Sequence, residues 1–126
     1  MTRHGKSDVA RMLRLCQSRG LPEVTEGTSY GNPALQVKGK AFASLRAPGE
    51  MVLHCPLEQK ALLMEMAPEI YWETEHFRGW PGLLVRLDVI GDEELSLRLA
   101  DAWQFRAPKT LAAKFVKESE TRNGAT

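Results

Sequence analysis

Residues 23–55 hold four short β-prone runs separated by brief turns: Tyr30 to Asn32, then Lys38-Gly39, then Ala47-Pro48-Gly49. Runs punctuated this closely by turn residues are strands joined as hairpins, which places strands near 24–30, 33–38, 40–46 and 50–55. That arrangement constrains every later reading, because it commits the first half of the chain to an antiparallel sheet.

It bears first on "GTSYG", residues 27–31, which fits the G-x-S-x-G pattern of a serine nucleophile on a strained turn. Such an elbow needs a buried strand before the serine and a helix directly after it. Ser29 follows Pro22-Glu23-Val24-Thr25-Glu26, too polar for a strand covered on both faces. Gly31-Asn32-Pro33 then turns the chain, and Leu35 and Val37 follow in a strand. No histidine comes after Asp88, Asp92 or Asp101, although a Ser29, Glu, His76 order exists. Context therefore makes the Gly27 to Gly31 match accidental. We expect no catalytic residue and no enzyme.

Helical periodicity surrounds the hairpins. Ser7 or Asp8 can cap a helix whose Val9, Met12, Leu13 and Cys16 fall on one face, ended by Gly20 and Pro22. Pro56 suits the start of a helix reaching Met66, with Leu57, Ala61 and Met64 as its stripe, and Pro68 closes it. Residues 70–77 and 83–89 read as two more strands, the second alternating Val85, Leu87 and Val89 with Arg86 and Asp88. Asp92 caps a further helix that buries Leu95, Leu99 and Trp103. Pro108 opens a last short helix carrying Leu111 and Phe115. The expectation is one α+β domain over 1–126, ordered from about 7 to 117 with a frayed polar tail at 118–126.

At 126 residues and 43% hydrophobic content, the chain can bury a core without metal or disulfide help. Its apolar runs are short, as at Leu83-Leu84-Val85, so no membrane span is expected. MTRHGKSDVA has a basic start without an apolar stretch behind it, which argues against secretion. Cys16 and Cys55 show no metal or redox spacing. A cytoplasmic monomer with reduced thiols, no cofactor, no metal and no disulfide follows. His54 and Cys55, neighbours on a strand, point to opposite faces and cannot share an ion. Glu73 and Glu75 have one parity and Thr74 and His76 the other, so they gather no ligand set. Trp72, Trp80 and Trp103 read as core or rim packing.

Charge is uneven. Residues 1–48 carry eight Lys or Arg against three acids, +5; residues 49–126 carry nine against thirteen, −4. The net +1 gives no global attraction to nucleic acid, but a local positive field fits the pattern. Lys38 and Lys40 stand on a hairpin tip where side chains reach phosphates. Arg46, Arg78 and Arg86 extend that surface, with Trp80 or Phe77 as a stacking plane. About three to five neutralised phosphates give a slope of log affinity on log salt near −3 to −4, with sequence-independent binding. The plainer reading is that lysines at hairpin ends discourage edge-to-edge aggregation. If Lys38-Gly39 is a two-residue turn, Lys40 and Phe42 share a face with Val37 and Leu35, and Phe42 is core.

A family resemblance covers residues 8–117. "LPEVTEGTSYGNPALQVKGKAFASLR" resembles the N-terminal signature of the MmcQ/YjbR family: a proline-glutamate start, a Gly-x-Pro turn and a Val-x-Gly-Lys hairpin. "ETEHFRGWPGLLVRL" resembles that family's T-x-H-aromatic-x-G-x-P segment, and "LADAWQFRAPKTLAAKF" is similar to its closing helices. Ala34-Leu35 departs from the usual Pro-x-Phe, which removes an aromatic ring. The resemblance implies an α+β domain of the frataxin-like (CyaY-like) or double-wing type, an antiparallel sheet packed on helices. It also implies DNA as a partner, since relatives are commonly labelled DNA-binding. Frataxin's iron handling does not carry over, because Arg11, Arg14 and Arg19 stand against Asp8 where an acidic ridge is needed. The alternative is a small-ligand or protein-interaction domain, without catalysis, using a groove near Thr74, His76, Phe77 and Trp80.

Overall fold

The Lys38-Gly39 turn forms as read, the turn expected over Tyr30 to Asn32 narrows to Tyr30-Gly31, and each sets two consecutive residues in the left-handed region. Tyr30 and Gly31 have φ of 54° and 81°, and Lys38 and Gly39 have 51° and 81°. This is the backbone of type I′ turns, whose twist matches that of the strands they join. The structure is a computed structural model that describes residues 4–124, with side-chain surroundings for 6–118. Its elements are α1 (His4–Ser18), β1 (Val24–Ser29), β2 (Asn32–Val37), β3 (Lys40–Ala47), β4 (Glu50–His54), α2 (Leu57–Met66), β5 (Tyr71–Trp72), a 3-10 turn (Glu75–Phe77), β6 (Gly82–Arg86), α3 (Asp92–Arg106) and α4 (Lys109–Gly124).

The six strands make one antiparallel sheet in the order β1-β2-β3-β4-β6-β5. With the helices this is an α+β fold, as expected. Ser29 pairs with Asn32 on the last rung of the β1–β2 hairpin. An antiparallel strand follows it, not a helix, so it has no elbow geometry.

One face of the sheet is covered. Leu35, Val37, Phe42, Ala43, Leu45, Met51, Leu53, Leu83 and Val85 meet Met12, Leu15 and Cys16 of α1 and Leu95, Leu99, Ala102 and Trp103 of α3. Phe42 is core, and the strand makes room for it: β2 pairs Leu35 with Ala43 and Gln36 with Ala41, leaving Phe42 without a rung. Such a bulge lets neighbouring side chains share a face. Arg46 is the second residue of β3 skipped in the pairing. Trp103 is fully buried, and its indole N–H donates to Pro22 O at 3.0 Å, so its polar edge is satisfied.

The opposite face has no helix against it among the described residues. Its middle row follows from the pairings: Gly27, Ala34, Ser44, Val52, Leu84 and Trp72, one from each strand. Side-chain size rises along that row. Two glycines there accept flat neighbours: the Gln36 amide lies over Gly27, and the six-membered ring of Trp80 lies over Gly82.

Several expectations are corrected. Helix α1 starts at His4, and Asp8 accepts a hydrogen bond from Gly49 N (3.0 Å), tying α1 to the β3–β4 turn rather than capping it. On α2, Leu57 and Ala61 face solvent, and Lys60 and Leu63 are buried. Residues 70–77 give only a two-residue strand before the chain turns through Glu75–Phe77, because a fixed ammonium claims the carbonyls beyond it (below). Strand β6 stops at Arg86, which leaves Val89 in a turn and 48% exposed. Gly91, not Asp92, holds the cap position of α3. Helix α4 runs from Lys109 to Gly124, longer than the short helix expected; residues 125–126 lie outside the described residues.

A Cβ at Gly82 would overlap the Trp80 ring, so Gly82→Ala should cost about 1–3 kcal/mol by overpacking. At Gly27 the obstacle is the free end of Gln36, 2.8 Å away, which can swing aside. Urea unfolding of both variants checks this; equal costs would remove the special role of the Gly82–Trp80 contact.

Candidate functional site

The uncovered face gathers Trp72, Trp80, His54 and Arg86. At its β4–β6 end, Trp80 lies on Gly82 with the His54 ring edge-on at a centroid distance of 4.8 Å and Phe77 at 5.4 Å. His76 stacks edge-on against Phe77 at 5.4 Å and is itself exposed. Further along β6, the Arg86 guanidinium sits 4.0 Å from the centroid of Trp72, a cation–π pair. Arg86 is also the cross-strand partner of Glu50, and Arg46 Nε lies 3.9 Å from the same carboxylate. Arg46 thus faces the acid, whereas the Arg86 guanidinium turns toward Trp72.

What holds Trp80 there is Lys60. Its side chain is 5% exposed, and Nζ donates to Phe77 O at 2.6 Å and Trp80 O at 2.8 Å. Glu73 Oε1 lies 2.7 Å from Nζ as an ion pair, though not aligned for a hydrogen bond. A buried ammonium is tolerated only where it is paired and hydrogen-bonded, and three oxygens meet that demand here. The segment between Glu73 and Trp80 is thereby gathered around one point.

Burial pulls the His54 imidazole down to about 4, and the Arg106 charge adds to the effect. Its ring is neutral at ordinary pH. Both cysteines are buried and unpaired, and burial raises both thiols, Cys55 to about 11. Neither is a poised nucleophile. Among the described residues no three His, Cys, Asp or Glu side chains converge to hold a metal, and no helix is long and apolar enough to cross a membrane.

The five predicted cations do not form one patch. Lys38 and Lys40 occupy the β2–β3 turn, whereas Arg46 and Arg86 lie at the other end of the strands, about 20 Å away at strand rise. Lys38 is paired with Glu23 at 3.6 Å and Arg78 with Glu75 at 3.2 Å. For Lys40 no ion pair is recorded among the described residues. Of the predicted groove residues, Phe77 and Trp80 touch each other and His76 touches Phe77. Thr74 begins the 3-10 turn without a side-chain cap bond.

The +5 of the first 48 residues is largely consumed by the fold. Arg11 donates to Asp92 Oδ1 at 2.8 Å and to the carbonyls of Leu87 and Ile90 at 2.6 and 2.8 Å. Arg14 reaches Asp92 and Arg19 reaches Glu93, each at 3.4 Å. The hydrogen bond from Arg11 holds the Asp92 carboxyl below its ordinary range, with Arg14 adding to it. An open cavity of about 340 Å³ lies between these helices, lined by Arg14, Ser18, Arg19, Asp92, Glu93 and Ser96, on the helical side of the molecule.

Sequence reasoning missed Lys60, His54 and Trp72 as members of this region. Lys60 sits one position before Ala61 in the expected apolar stripe, and no pattern count treats a lysine as buried. Trp72 and Arg86 had a readable signal, since an aromatic and a cation on adjacent antiparallel strands can pair across them.

A sequence model of the YjbR family matches residues 19–105. The chain is similar to uncharacterized proteins of Mycobacterium bovis and Mycobacterium tuberculosis, 38% identical over 60 residues. The matched stretch is 48% of this chain and 46% of each relative, so the chain spans about half the length of the relatives it matches. No solved structure matches it.

Two outcomes test the site's construction. Lys60→Met removes one partner of a buried pair and strands two carbonyls, so urea unfolding should show a loss of about 3 kcal/mol. A loss below about 1 kcal/mol would mean the ammonium is not desolvated. For His54, the unfolded imidazole takes its proton near 6.5 and the folded one not until about 4. The unfolded chain therefore binds more protons in that window, and stability present above 6.5 is lost as pH falls toward 4. Thermal midpoints across this range should decline, and His54→Gln should flatten the decline.

Proposed function

The chain belongs to the YjbR family, and on that premise we propose that its open sheet face binds nucleic acid weakly and without sequence preference, as a non-catalytic module. One observation carries the reading: a helix-free sheet face bears Trp72 under Arg86 and Trp80 beside His54, with Arg46 at its margin and Lys40 on the adjoining hairpin tip. Guanidinium and ammonium groups attract phosphates whatever the sequence, and indoles accept any base. The label commonly given to the family's members points the same way.

The ion pairs limit strength. Lys38, Arg46 and Arg78 each face a carboxylate, so phosphates must compete for them. About two to three phosphate contacts remain, fewer than the sequence suggested. Each contributes roughly 0.7–0.9 to the slope of log affinity against log salt, giving about −1.4 to −2.7 with micromolar or weaker affinity. Anisotropy of a labelled oligonucleotide, as single strand and as duplex, across a salt series measures this. Lys40→Ala with Arg86→Ala should flatten the slope by about 1.5. Absence of binding to either form at the lowest salt would overturn the reading.

A further inference from the structure

We infer that the nucleic acid this face accepts is single-stranded, with neighbouring bases stacked at Trp80 and on the Arg86–Trp72 pair; the inference rests on the proposed binding. A duplex shows its base edges only inside its grooves, and entering them takes a projecting helix or ribbon. The open face projects neither at these rings. The six-membered ring of Trp80 rests against Gly82, and Trp72 pairs with Leu84 and has the Arg86 guanidinium over its ring. Rings held against a sheet rather than projecting from it meet only bases whose faces are free, which is the condition of an unpaired strand.

Spacing and shape fit the same occupant. Gly82 and Leu84 are two positions apart on β6, so the ring sites are offset by about 7 Å along the strand direction, with Trp72 one strand over on β5. Each ring site can take one base of an extended strand. A base arriving at Arg86 meets a guanidinium plane backed by an indole, a surface that stacks bases and carries charge. From there the middle row falls in size through Val52, Ser44 and Ala34 to Gly27. Ser44 and Ala34 are 8% and 2% exposed, sunk between their neighbours, and they give a shallow trough across the sheet. Arg46 borders the trough at the β3–β4 end. Glu50, the acid of that margin, is already engaged by Arg46.

Titration of the whole protein with oligo-dT and with a blunt duplex of equal length, following anisotropy and tryptophan emission, tests this. The expected result is at least tenfold tighter binding of the single strand, with quenching that the duplex does not produce. Arg86→Gln alters an exposed side chain and should weaken single-strand binding about fivefold or more. Trp80→Phe, which keeps a ring on Gly82, should lower the quench. Equal affinity for both forms with unchanged emission overturns the inference and leaves nucleic-acid binding standing. Binding of neither form overturns both.

Discussion

Lys60 Nζ has three oxygens within 2.8 Å, two of them main-chain carbonyls from Phe77 and Trp80 and the third from Glu73. An ammonium removed from water loses several kcal/mol of hydration, so it holds its acceptors tightly once it is buried. The consequence spreads outward. The chain between β5 and β6 must wrap around that point, the 3-10 turn closes there, and Trp80 is delivered onto Gly82. His54 is then sheltered by the indole and its proton affinity drops. One charge buried on the helix side thus decides which rings the opposite face displays.

A second set of charges works between the halves of the chain. The arginines of α1 reach the acidic start of α3, and Arg11 also ties down the carbonyls of Leu87 and Ile90, at the exit from β6. A composition that looked like a basic half and an acidic half is an internal fastening. Its cations are therefore engaged within the fold and are poor candidates for a partner's phosphates.

The hairpins were legible because their turns are chemical: Gly31 and Gly39 supply the positive φ that a two-residue connection demands. The apolar face of α3 was legible because Leu95, Leu99 and Trp103 obey a helical period. Helix α2 was not, since its inward residue is a lysine whose acceptors come from a loop seventeen to twenty positions away. Nor does any local pattern show that β5 stops after two residues, or that Phe42 is bulged into the core. The candidate site was half legible. Its residue types were named, but their distribution over two ends of the sheet and their engagement by Glu23, Glu50 and Glu75 are products of register.

The strand order has a kinetic meaning. Strands β1 to β4 pair with sequence neighbours through tight turns, contacts that form on the microsecond scale typical of hairpins. Strand β6 instead enters between β4 and β5, and its pairing of Leu83 with Leu53 closes a loop of thirty positions that contains α2 and the Lys60 cage. Closing that loop costs entropy before any contact repays it. The last strand to be secured is thus an interior one. Until it docks, β4 remains an open edge and the rings of residues 77–80 have no sheet to lie on.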